Sequence, residues 1–84
     1  MLREVRALWD WADRDRPDDH LWRLVTEQVL ILAEQPWAAP STPLSLPTGQ
    51  PTEIREMVVG GRAVITYEHE HPTGIVDLAL VGSL

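Results

Sequence analysis

Between residues 36 and 51 a proline recurs every three or four positions: the segment "PWAAPSTPLSLPTGQP" carries Pro36, Pro40, Pro43, Pro47 and Pro51. Each proline fixes φ and removes a backbone donor, so neither a helix nor a central strand can run through this stretch. It must be an extended loop, and it divides the chain into an N-terminal and a C-terminal segment. Loops of this length in small domains tend to be functional or mobile, and Trp37, Leu44 and Leu46 are expected to pin it to the core.

Before the loop the apolar period is helical. "LREVRALWDWADRD" places Leu2, Val5, Leu8, Trp9 and Ala12 on one stripe. Trp11 stands about 180° from Leu2 at 100° per residue, off that stripe, and is read as a contact for a partner. In "RPDDHLWRLVTEQVLILAEQ" Pro17 suits a first helical position, and Asp18 and Asp19 suit the positive end of the helix dipole. That role accounts for Asp18, Asp19 and His20 better than an acid–base cluster does. Leu21, Leu24, Val25, Val29 and Leu32 form the buried stripe of this second helix, Leu30 falls outside it, and Pro36 ends it. Residues 2–35 are thus a helical hairpin around a short connection.

After the loop the period becomes that of strands. "EIREMVVGGRAVITYE" is a hairpin signature, with β-branched residues on both sides of Gly60-Gly61, and "IVDLALVG" is a third strand. If Val59 faces Arg62 and Glu68 faces Ile75, then Ile54, Val58, Ala63, Ile65, Tyr67, Val76, Leu78 and Leu80 share the core face. Arg55, Met57, Arg62, Val64, Thr66, Glu68, Asp77 and Ala79 then share the other. In this register His69 and His71 of "ITYEHEHPTG" fall in a turn after Glu68, where no third and fourth ligands are fixed. No metal site and no cofactor are therefore expected.

The expected fold is α+β: one domain over residues 1–84, with a helical hairpin (2–35), a proline-rich loop (36–52) and a three-stranded antiparallel meander (53–82). A chain of 84 residues buries only about 60–65% of its extended surface on folding, so its core is marginal and a partner would help it. There is no cysteine, hence neither disulfide nor thiolate metal site. No apolar run is long enough to span a membrane, and a cytoplasmic protein is expected. All seven basic residues are arginine, against thirteen Asp and Glu, giving a formal charge of −6. Such a balance argues against a phosphate-neutralising surface.

The order helix, helix, loop and antiparallel strands resembles the RelE/ParE superfamily of small toxins from bacterial type II toxin-antitoxin modules, including proteins described as plasmid stabilisation factors. The residues that carry the resemblance are "ALWDWADRDRPDDHLWRLVTEQVLILAEQPWAAPSTPL", similar to the family's helical hairpin, and "IREMVVGGRAVITYE" with "GIVDLALVG", similar to its hairpin and last strand. These toxins usually open with a β-strand before the first helix, which is expected to be missing here. The ribonuclease branch cleaves mRNA on the ribosome with basic residues on the exposed sheet face. Arg55 and Arg62 match such catalytic positions, but Pro43 stands where a lysine is frequent and "VGSL" supplies no His, Tyr or basic group. Cleavage needs proton transfer as well as charge stabilisation, and two arginines offer only the second. The resemblance therefore implies a ParE-like toxin more than an mRNA-cleaving enzyme, acting on a protein target such as DNA gyrase and neutralised by a cognate antitoxin that covers Trp11 and Leu30. The alternatives are an mRNA interferase with the ribosome as target and a reduced catalytic set, or an inactive relative serving as an antitoxin-binding or homo-oligomerising module.

Overall fold

Leu2, Arg3 and Glu4 do not enter the first helix. In the computed structural model, which describes residues 1–44 and 52–84, Leu2–Glu4 forms a short strand, β1, and the helix α1 (Arg6–Asp15) starts only after it. Arg16, in the left-handed region with φ 45°, turns the chain directly into α2 (Asp19–Glu34). The helix begins after Pro17: the Asp18 carboxylate accepts the Leu21 amide at 2.8 Å, the capping role expected of this acidic pair. Leu21, Val25, Val29 and Leu32 of α2 are buried as their spacing requires.

Pro36–Ala38 forms one turn of 3₁₀ helix, and Thr42–Pro43 forms a two-residue edge strand, β2. Proline is tolerated there because an edge strand need not donate on both sides. Leu44 is exposed, so it does not pin the loop as expected; Leu46 lies outside the described residues. The remaining strands are β3 (Thr52–Val59), β4 (Ala63–Glu70) and β5 (Ile75–Ser83). The described strands form one mixed sheet in the order β1-β5-β4-β3-β2, with β1 parallel to β5 and the other pairs antiparallel. The α+β class holds, but the sheet has five strands where three were expected. The two additions are short edge strands of three and two residues, too brief to show the alternation by which strands are recognised.

The register also differs from the expected one. Val59 pairs with Ala63, so Gly60, Gly61 and Arg62 all lie in the turn, with the two glycines at φ 59° and 67°. That extra turn residue moves every side chain of β3 to the opposite face. Met57 and Val59 enter the core, whereas Ile54 and Val58 are exposed. A bulge after Thr66, which pairs with Leu80 while Tyr67 pairs with Leu78, reverses the faces of β5 only beyond Leu78. Leu80 is therefore exposed and Val81 buried. Ala63, Ile65, Tyr67, Val76 and Leu78 occupy the core as expected and pack against Leu8, Leu21, Val25, Val29 and Leu32.

Trp11 belongs to this core. It is 0% exposed, and Trp9 is the outward indole at 56%. The expected partner contact at Trp11 is corrected by the late helix start: Leu2 lies on a strand and cannot define the helical stripe. Counted from Arg6, the buried positions are Leu8 and Trp11, three apart, with Ala7 half-buried beside them. Trp11 stacks on Trp22 with centroids 6.4 Å apart. Its Nε1 donates to Ser83 Oγ at 3.0 Å, and that hydroxyl donates to Asp15 Oδ2 at 2.7 Å. No helix among the described residues is long and apolar enough to cross a membrane.

Candidate functional site

Because β4 runs on to Glu70, His69 is a strand residue. It does not lie in a turn after Glu68. It pairs with Glu53 on β3 and Val76 on β5, and its side chain points to the helix side of the sheet, where it is 1% exposed. Glu53, directly across the strand, is 7% exposed. His71, just past the end of β4, folds back so that its ring centroid lies 4.5 Å from that of His69. The 3₁₀ turn brings Trp37 over the group edge-on, its centroid 5.2 Å from the His69 ring. Gly74 makes room for that indole: a Cβ there would stand 2.9 Å from Trp37 Cη2, and its φ of 72° suits glycine.

Arg55 completes the group. On β3 it lies two residues from Glu53 and therefore on the same face, the helix side. Its Nη1 donates to Glu53 Oε1. Its Nε donates to Ser41 Oγ at 2.7 Å and its Nη2 to the Ser41 carbonyl at 2.8 Å. Ser41 Oγ is also 2.6 Å from Tyr67 Oη. The hydrogen bond from Arg55 holds the Glu53 carboxyl below the usual carboxylate range, and Glu53 in turn raises Arg55. Burial, reinforced by His71, pushes the His69 imidazole below its ordinary value. Pro36, Trp37, Ala39, Glu53, Arg55, His69 and His71 together line a cavity of about 100 Å³.

The residues singled out from the sequence do not converge. Arg55 is in this group, yet it is turned away from the exposed sheet face that would meet RNA. Arg62, in the turn, pairs with Asp18 at 2.7 Å at the opposite end of β4. Leu30 is 62% exposed on α2, as its place off the stripe requires. Glu53, Tyr67 and Ser41 were not visible as site residues. An even spacing from Glu53 to Arg55 and a strand extended by two residues would have revealed the first of them.

The open face of the sheet is acidic and apolar. Glu56, Glu68 and Glu70 share it with Ile54 and Val58, and Asp77 is held there by Arg3. Comparison with known protein families, with curated proteins and with solved structures finds no match for this chain.

Proposed function

We infer that this chain is a ParE-like toxin, a small domain that acts by binding a protein target such as DNA gyrase and is neutralised by a cognate antitoxin. The observation that carries the choice over an RNA-cleaving relative is the state of the two arginines. Arg55 is tied to Glu53 and Ser41 on the helix side of the sheet, and Arg62 is tied to Asp18. The surface on which a ribonuclease of this kind would hold phosphate carries Glu56, Glu68 and Glu70, which repel it. Support for the resemblance comes from β1, a strand before the first helix of the sort those toxins have. Support for an antitoxin surface comes from Trp9, Leu30 and Ile31, large apolar side chains exposed on the two helices.

The test is inducible production of the chain in a bacterial host. A ParE-like toxin arrests growth with a DNA-damage response and leaves transcripts intact, and co-production of the neighbouring small reading frame relieves the arrest. Codon-specific cleavage of ribosome-bound mRNA, lost in Arg55→Ala, would establish the interferase instead. Unimpaired growth would leave the inactive binding module.

A further inference from the structure

A buried imidazole nitrogen ordinarily finds a hydrogen-bond partner. His69 Nε2 is buried and has none among the described residues, although its ring lines the cavity under Trp37. Two other ligand-type side chains face the same space. Glu53 is fixed across the strand pair from His69, and His71 Nε2 lies 3.4 Å from Glu53 Oε1. One ligand atom from each of the three can be chosen so that all lie within 4.8 Å of one another.

We propose that Glu53, His69 and His71 bind a divalent transition-metal cation, zinc being the ion they fit, with the fourth position open to the cavity. Metal–ligand bonds of about 2.0–2.2 Å at tetrahedral angles put neighbouring ligand atoms ~3.3–3.6 Å apart. The His71–Glu53 pair already has that separation. The full set lies within 4.8 Å, and His71, whose side chain is 47% exposed and lies beyond the strand end, is the ligand free to adjust. His69 and Glu53, buried and locked in register, supply the fixed half of the site.

Two imidazoles and one carboxylate select zinc, cobalt or nickel over magnesium or calcium, which prefer all-oxygen shells. Arg55 acts as a positioning residue. Held independently by Ser41, it keeps the Glu53 carboxylate facing the histidines, as outer-shell donors do around metal carboxylates. Its positive charge limits the affinity without occupying the cavity. The cavity, at about 100 Å³, has room for the ion and a water, which needs roughly 10–15 Å³ of such volume. The assignment is independent of the toxin reading, since metal binding and growth arrest are measured separately.

The experiment uses the full chain with zinc or cobalt chloride as the probe. Zinc at about 100 times its dissociation constant should raise the melting temperature by on the order of 10 °C over the chelator-treated protein. Cobalt should give the strong visible absorption of a tetrahedral site. Both signals should vanish in His71→Ala, weaken in Glu53→Gln and persist in His20→Ala, while magnesium gives neither. His71 is used because it is exposed, whereas loss of His69 could unfold the chain; circular dichroism of the metal-free variants establishes that they are folded. No zinc shift and no cobalt band in the wild-type chain, signals retained in His71→Ala, signals lost in His20→Ala, or an equal shift with magnesium would each overturn the proposal.

Discussion

Replacing Trp11 by Phe separates a core indole from a surface one. Trp11 is wholly enclosed, and its Nε1 donates to a hydroxyl that is itself bonded to Asp15. Phenylalanine removes that hydrogen bond, a loss of about 0.5–1.5 kcal/mol, and leaves a void where the second ring was, for a total of about 2–3 kcal/mol. An unfolding entropy of ~2.1 cal/mol/K per residue over 84 residues gives ~0.18 kcal/mol/K, so the melting temperature should fall by roughly 11–17 °C. Trp11→Ala, at about 3–5 kcal/mol, approaches the whole stability expected of so small a domain, ~4–13 kcal/mol. Trp9 touches Trp22 with centroids 5.7 Å apart but is largely exposed, so Trp9→Phe should cost under about 0.5 kcal/mol. Thermal and urea melts followed by far-UV circular dichroism measure both. An unchanged melting temperature in Trp11→Phe, or a larger loss in Trp9→Phe, would refute the inward placement of Trp11.

Arg55→Ala strips a mostly buried carboxylate of its partner and should cost about 1–3 kcal/mol in a urea melt, whereas Arg62→Ala, breaking an exposed pair with Asp18, should stay within about 1 kcal/mol. Gly74→Ala combines a φ of 72° with a Cβ 2.9 Å from Trp37 and should destabilise by about 1–3 kcal/mol, with the Trp37 fluorescence environment altered; Gly61→Ala meets no neighbour within 4 Å and should lose only the backbone cost, about 1 kcal/mol. The Arg3 guanidinium holds the Asp77 carboxyl below its usual range, so the stability linked to this pair is complete above about pH 3.9 and is lost as pH falls through the lowered folded value. Hydrogen exchange should accordingly show β1 detaching from β5 in acid ahead of the core strands, and Arg3→Ala should remove that pH dependence.

The parts of the fold visible in the sequence are those whose periodicity is long and uninterrupted. Leu21, Val25, Val29 and Leu32 repeat over about three turns of α2, and Ala63, Ile65 and Tyr67 alternate along β4; both patterns are realised. The pattern departs from the structure where one residue shifts a phase. Leu2 is a strand residue, which turns Trp11 inward; a third residue in the Gly60 turn inverts β3; and the bulge at Ala79 puts Leu80 outside. The candidate site depended on the same phase: a turn after Glu68 hides His69, whereas two more strand residues bring it opposite Glu53. Nothing local marks those two residues as strand, because Glu68, His69, Glu70 and His71 are all polar; the pairing with β3 and β5 decides it.

Cross-strand nuclear Overhauser contacts in β4 test the position of His69 most directly. The structure requires contacts of Glu68 with Asp77, of Glu70 with Ile75 and of His69 with Glu53, together with contacts between the His69 ring and the Trp37 indole. Contacts of Glu68 with Ile75, with the His69 ring free of Glu53 and Trp37, would return both histidines to a solvent-exposed turn and dissolve the site.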